Sequence, residues 1–448
     1  MPGLPGAPGL PGASGGAVAP STSILLPPGA TVGSETAATA LPATPGGGER
    51  LSLRAAIERA VARNPSAGVA QAEAQRAAAL ERQARAAAWP TLVGQGIYTR
   101  LDDDRVLAGR VVAGQDQLSA NVTLNVPIFA PRAWAQGTRA GDQTRVAQAS
   151  AAEIRRQVAV ATGRAYLSAL TQLRAIEIGE RARATAQAHL DFARTRLQGG
   201  VGNKLDEVRA SQEVAAAETQ VQGARLGLAR SREALAVLLG SETPVDINGE
   251  AALEGPPAAA AEPGAAPDGL ARRADVALAQ ARIRAADRAV SQNWTEYAPT
   301  LSALFQPFYQ NPPTITLPKT GWQAQLVLTV PFYDGGLRYG LIAERRAIAE
   351  SARESARSTM LQVRSEDRVA REAVARAEAT LASAQESARL AEQARQLSGS
   401  AYQAGATTNL EIIDAERRAR DAATSTIIAE DALRQARFDW MVAAGKLP

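Results

Sequence analysis

Gln117, Ser119, Asn121, Thr123 and Asn125 form the most suggestive run of hydrogen-bonding groups in this chain, one at every second position. Leu118, Ala120, Val122, Leu124 and Val126 fill the places between them. Successive side chains of a strand point to opposite faces, so the segment carries one wholly polar wall and one wholly apolar wall. Amides and hydroxyls without an adjacent base solvate and hydrogen-bond; they do not attack bonds.

Groups for bond-breaking chemistry are scarce. His189 is the only histidine and cysteine is absent, so the usual zinc, thiolate and disulfide arrangements are excluded. His189 stands alone within helical sequence and reads as an ordinary surface or packing residue. No phosphate-cradling glycine loop or Ser/His/Asp arrangement is present, and Met1, Met360 and Met441 are too few for a copper or silver relay. The expectation is no enzyme, no catalytic residue, no cofactor and no metal.

The elements that position the polar run follow from bulk properties. No window of the 448 residues holds the roughly 18 consecutive apolar residues of a membrane helix, so entry into lipid would require a closed β-barrel. The formal charge of +4 is small, and its arginines are interspersed with acids along helices, which argues against a nucleic-acid partner. Of 18 aromatic residues, 13 fall within Trp89 to Trp134 and Trp294 to Tyr339. The remainder is mostly Ala, Arg, Glu and Gln, as expected of narrow, closely packed helices joined to two aromatic-bearing β regions.

Residues 1–48 are low complexity with collagen-like glycine spacing over too few triplets for a triple helix, and disorder is expected. No basic and apolar leader pattern opens the chain, which leaves a trimmed or misassigned start, or a chain that is not exported. A first repeat covers 49–240, with helix from Leu51 to Trp89 bent or restarted at Pro65, strands at about 91–100 and 117–127, a polar loop at 101–116, a helix at about 135–198 and another at 203–240. Residues 241–268 read as an irregular linker. The order recurs over 269–448, with strands at about 300–309 and 323–331 and helices at about 337–403 and 409–444.

The two long helices would each span roughly 96–100 Å, and those at 203–240 and 270–297 would together match one of them end to end. A heptad rhythm of mostly small residues runs through Ala370, Val374, Ala377, Leu381, Ala384, Ala388 and Ala391. Four strands cannot close a barrel, so copies must pool them: two would give eight strands, three would give twelve and a lumen. Ser119, Asn121, Thr123, Asn125, Gln323, Gln325 and Thr329 would then line water, and Leu118, Val122, Leu124, Leu326 and Leu328 would face lipid. Tyr98, Phe305, Phe308, Tyr309 and Trp322 are either anchors near the outer rim or barrel packing. A soluble trimeric coiled-coil scaffold is the alternative.

The opening LSLRAAIERAVARNP, the helix-ending WPTL and APTL, the junctions NVPIFAPR and TVPFYDGG, and the turns LQGGVGNKLDEV and YQAGATTNLEIIDA resemble the TolC family of outer-membrane efflux and secretion ducts. The resemblance covers about residues 50–446. It implies a mainly α fold with a small β part, in which four strands per protomer complete a twelve-stranded outer-membrane barrel in a homotrimer and long hairpins build an α-helical barrel in the periplasm. Its partners would be outer-membrane lipid, a periplasmic adaptor, and an inner-membrane efflux or ABC-type transporter. Under this resemblance Gly200, Val201, Gly405 and Ala406 match the adaptor-contacting tips, Glu411, Asp414 and Asp206 match acidic residues at the aperture, and Tyr402 matches a tip tyrosine. Gly200 and Gly405 equally suit helix-ending positions, and Glu411 and Asp414 equally suit the start of a helix, whose dipole favours acids.

Overall fold

The computed structural model describes residues 50–107, 110–248, 253, 255, 268–313, 318–404 and 406–446. The collagen-like tract, Gly405 and most of the 241–268 linker lie outside them. The first half comprises β1 (Arg50–Leu51), α1 (Leu53–Arg63), α2 (Pro65–Ala86), β2 (Thr91–Arg100), β3 (Arg105–Leu107), β4 (Arg110–Ala113), β5 (Asp116–Phe129), α3 (Pro131–Gln198) and α4 (Lys204–Leu239). The second comprises β6 (Asp246–Ile247), α5 (Asp268–Ala271), α6 (Ala274–Ser291), β7 (Thr300–Asn311), β8 (Thr320–Thr329), α7 (Leu337–Gln403) and α8 (Asn409–Ala443).

Proline chemistry sets several of these bounds. Pro65 starts α2, where its missing N–H loses nothing, and the preceding Asn64 is extended at ψ 129°. The Asn64 side chain accepts from Ser66 N at 2.9 Å and donates to Leu238 O at 2.8 Å, so the break is capped and tied to α4. Pro131 opens α3 four residues earlier than expected for the same reason. Two other expectations need correction: the 101–116 loop contains the β3–β4 hairpin, and the linker contains β6, paired in parallel with β1. Strands this short carry no readable periodicity.

α3 and α7, of 68 and 67 residues, extend about 100 Å each. α6 lies beside the first part of α3, with Arg288 bonding Asp142 at 3.0 Å, and α4 lies beside the rest, with Arg183 bonding Glu218 at 2.9 Å. The expected end-to-end stack of α4 with α6 is not what forms: α4 ends against the start of α2, where Asn64 bonds Leu238 O, and α6 starts against the end of α8, where Arg273 Nη1 donates to Ala443 O at 3.1 Å. α7 and α8 meet along a seam in which Val374 is buried and Ala377 and Leu381 pack against Leu433 and Trp440. Small seam residues allow close approach, and Thr426 Oγ1 donates across it to Ala384 O at 3.2 Å.

The main core lies at mid-height, where Tyr166, Leu235, Leu239 and Phe438 are fully buried beside Leu53, Ile57 and Ile247. Gly163 makes room for Phe438: a Cβ there would overlap the ring. Gly163→Ala is expected to destabilise the protein by about 1–3 kcal/mol in thermal unfolding followed by circular dichroism. Gly223, with open space around its Cβ position, supplies the control, and Gly223→Ala should be neutral or stabilising by up to about 1 kcal/mol.

Candidate functional site

All pairings in the four-stranded sheet, ordered β2-β5-β7-β8, are antiparallel, and their register sorts its residues onto two faces. Asn121 pairs with Gln95 and Phe308, Asn125 with Thr91 and Leu304, Leu304 with Gln325, and Thr300 with Thr329. Directly opposed residues share a face, so Ser119, Asn121, Thr123, Asn125, Gln323, Gln325 and Thr329 lie on one side. There Gln323 donates to Gln306. Leu118, Val122, Leu124, Leu326 and Leu328 lie on the other side, where Leu326 and Leu328 are 69% and 63% exposed.

Tyr98, Phe305, Tyr309 and Trp322 share that apolar side, with Phe305 and Trp322 rings 6.0 Å apart. Phe308 does not. Three residues along a strand reverse the face, and its ring lies over Gly321, where a Cβ would meet it at 2.6 Å. Phe308 therefore packs on the polar side of the sheet and does not share the apolar side.

The passage from β8 into α7 is a fixed elbow. Gly335 and Gly336 take φ of 68° and 92°, a backbone conformation that side chains disfavour. The Asp334 carboxylate accepts from Gly336 N and Arg338 N, each at 3.2 Å, and from Arg338 Nε at 2.7 Å. The same guanidinium donates to Pro331 O and Phe332 O and covers the Tyr297 ring at 4.8 Å. This gives the VPFYDGG motif its physical meaning: Asp334 caps, the glycines turn, and Arg338 locks the turn.

At the far end of the helices, Gly200 takes φ 77° with Val201 exposed beside it. A Cβ on Gly202 would come within 2.6 Å of Leu197 N, so this turn needs two glycines. Asn203 then caps α4 through Leu205 N at 3.0 Å, leaving Asp206 half-buried in its first turn. In the second turn, exposed Ala406 donates its N–H to Ala401 O at 2.8 Å. Gly405 lies outside the described residues. Tyr402 is buried under Phe192, His189 and Arg196 of α3, with Arg196 5.1 Å from its ring centroid. Both tips are thereby joined within one chain, and His189 is packing, not surface.

Glu411 is exposed at the start of α8, whereas Asp414 is half-buried and bonded at 2.7 Å to both Arg417 and Arg418. Behind it the two helical hairpins are riveted by charge: Arg420 to Glu213 at 2.7 Å, Arg174 to Glu430 at 2.8 Å and Arg164 to Asp439 at 2.9 Å. Nothing in the sequence marks these pairs, because partners 207 to 275 positions apart look like ordinary solvated helix charges. Among the described residues, no group of three or more His, Cys, Asp or Glu is placed to hold a metal, and no helix is long and apolar enough to cross a membrane.

A cavity of about 490 Å³ lies between these hairpins, lined in part by Ala186, Ala388, Glu213, Arg420 and Glu416. Burial pushes the Glu416 carboxyl up and Glu213 adds to this, while His189, Arg395 and Arg420 pull the other way. The folded protein therefore holds this proton more tightly than the unfolded chain does. That contribution is full below the ordinary glutamate range and is lost as pH rises through the raised value. Glu416→Gln is expected to melt about 1–2 °C above the parent protein at pH 8 and to show no gain at pH 4; an equal shift at both would contradict this assignment.

The family model for outer membrane efflux proteins matches residues 56–241 and 266–446, and no curated protein sequence matches the chain. The fold resembles VceC from Vibrio cholerae, with a TM-score of 0.74 and 18% identity over 88% of this chain and 96% of that one. It also resembles the open state of the MtrE channel of Neisseria gonorrhoeae, with a TM-score of 0.74 and 18% identity over 88% and 89% of the two chains. A membrane protein from Pseudomonas aeruginosa gives a TM-score of 0.76 and 20% identity over 88% and 90%. A soluble coiled-coil scaffold finds no support in these likenesses. With both strand-bearing halves matched, the chain belongs to the outer membrane efflux protein family and is an outer-membrane channel.

Proposed function

We propose that three copies of this chain close one barrel and serve as the exit duct of a tripartite efflux pump or type I secretion system, passing small molecules or polypeptides without energy coupling of their own. The observation that carries this reading is the open sheet, whose edges β2 and β8 have no pairing partner among the described residues and one of whose faces is apolar. Hydrocarbon satisfies no free backbone group, so both edges must find partners. Joining β8 of one copy to β2 of the next satisfies them, and three copies give twelve strands around a water-filled lumen.

The helices favour the same closure. α3 has α2 and α6 against it, and α6 in turn packs on α7. Apolar side chains remain exposed on α2, at Val69 and Leu80, and on α7, at Ile348 and Leu361, where a neighbouring copy would sit. In this assembly 49–240 and 269–448 act as two repeats, and the leucine-bearing wall meets outer-membrane lipid. Gly200, Val201, Gly405 and Ala406 contact a periplasmic adaptor, and an inner-membrane efflux or ABC-type transporter supplies the driving force. Asp206, Glu411 and Asp414 border the aperture.

Membrane fractionation and crosslinking test the assembly. The protein should stay with outer membranes after a carbonate wash, and cysteines placed at residues 92 and 328 should crosslink between copies into a trimer; a carbonate-soluble monomer would refute it. Planar-bilayer recordings test the aperture. Two arginines already neutralise Asp414, so Glu411→Gln should lower cation preference more than Asp414→Asn. Unchanged selectivity in the double variant would remove the acidic ring.

A further inference from the structure

Where the sheet passes into the helices, one carboxylate faces three guanidiniums. Arg345 Nη2 bonds Glu296 Oε1 at 2.6 Å, Arg139 Nη2 approaches the same oxygen at 3.4 Å, and Arg132 Nε lies 3.5 Å from Oε2. Glu296 and Arg345 side chains are only 12% and 13% exposed, so solvent screens that pair poorly, while Arg139 and Arg132, at 26% and 43%, open the cluster to solvent. Three positive charges against one negative leave a net +2. Burial, and next the charge on Arg345, push the Arg139 guanidinium down, which is the direction expected where cations crowd one another.

Hydrogen bonding is as unbalanced as charge. Three guanidiniums offer about 15 N–H donors. Among the described residues they make five hydrogen bonds: Arg132 to Glu296 O, Arg139 to Gln292 Oε1 and Glu296 Oε1, and Arg345 to Asn293 Oδ1 and Glu296 Oε1. Arg132 Nε is buried and makes no hydrogen bond, its ion-pair partner Glu296 Oε2 lying at 3.5 Å. A buried donor left unpaired is costly, and a structural clamp alone would need no surplus of cations.

We propose that Arg132, Arg139 and Arg345 form an anion site that takes a phosphate-type oxyanion, with Glu296 holding the three guanidiniums in place and moderating their charge. Planar guanidinium forks suit tetrahedral oxyanions, which accept several N–H groups at once. The oxyanion belongs to a soluble phosphate or to the headgroup of an anionic phospholipid, since the node stands one residue past Pro131, where β5 gives way to α3.

The purified, detergent-solubilised protein tests this by thermal unfolding in tens of millimolar sodium phosphate against sodium chloride of equal ionic strength. A parallel arm compares phosphatidylglycerol with phosphatidylcholine in lipid nanodiscs. The expected result is an anion-specific rise of about 2 °C or more in the phosphate arm, the phosphatidylglycerol arm or both, the pattern identifying the source. Arg132→Gln should abolish the rise. Glu296→Gln, though less stable at baseline, should enlarge it, because it removes the competing negative charge; a purely structural network would not reverse sign in this way. Equal melting in both salts and in both lipids, or a rise untouched by Arg132→Gln, would overturn the site.

Discussion

Hydrocarbon gives a backbone amide no partner, and most of this architecture follows from that single constraint. A four-stranded sheet with two open edges cannot rest in lipid by itself. The register therefore has two tasks: it gathers Leu326, Leu328 and their neighbours on one face and Asn121, Asn125 and Gln325 on the other, and it leaves edges able to pair with another copy. Helices need no such completion, because their amides are satisfied internally, and so α3 and α7 can run far beyond the sheet.

Joining the two regimes requires a stiff transition. At the β8–α7 elbow the chain concentrates fixed geometry: two left-handed glycines, an acid cap and a buried arginine. Farther along, apolar packing gives way to charge. The mid-height core around Tyr166 and Phe438 is well filled, whereas the hairpins beyond it are bound by ion pairs and by a tyrosine under an arginine. Ion pairs between exposed helices contribute little each, so this distal region is held less firmly than the middle.

The strands were legible because strict alternation from Gln117 to Val126 is a period-two signal with no competitor, and the long helices because no proline interrupts them between Pro131 and Gln198. The VPFYDGG motif was legible as a junction, though not as a cap and lock. For Phe308 the two readings left open by its aromatic type are separated by the parity of its position. β1 and β6 escaped because two-residue strands exist only through each other. Pairs such as Arg420 with Glu213, or the three arginines around Glu296, depend on which helix faces of distant segments meet. Regular spacing along one helix contains no information about that.

α2 and α4 meet end to end against unbroken α3, and the break between them falls near the same height as the filled core. At that height only α3 and α7 run through unbroken, and the filled core around Tyr166 and Phe438 is what ties the shorter segments on either side to them. A twist applied to the far ends is therefore taken up first by their ion pairs, before it reaches that core.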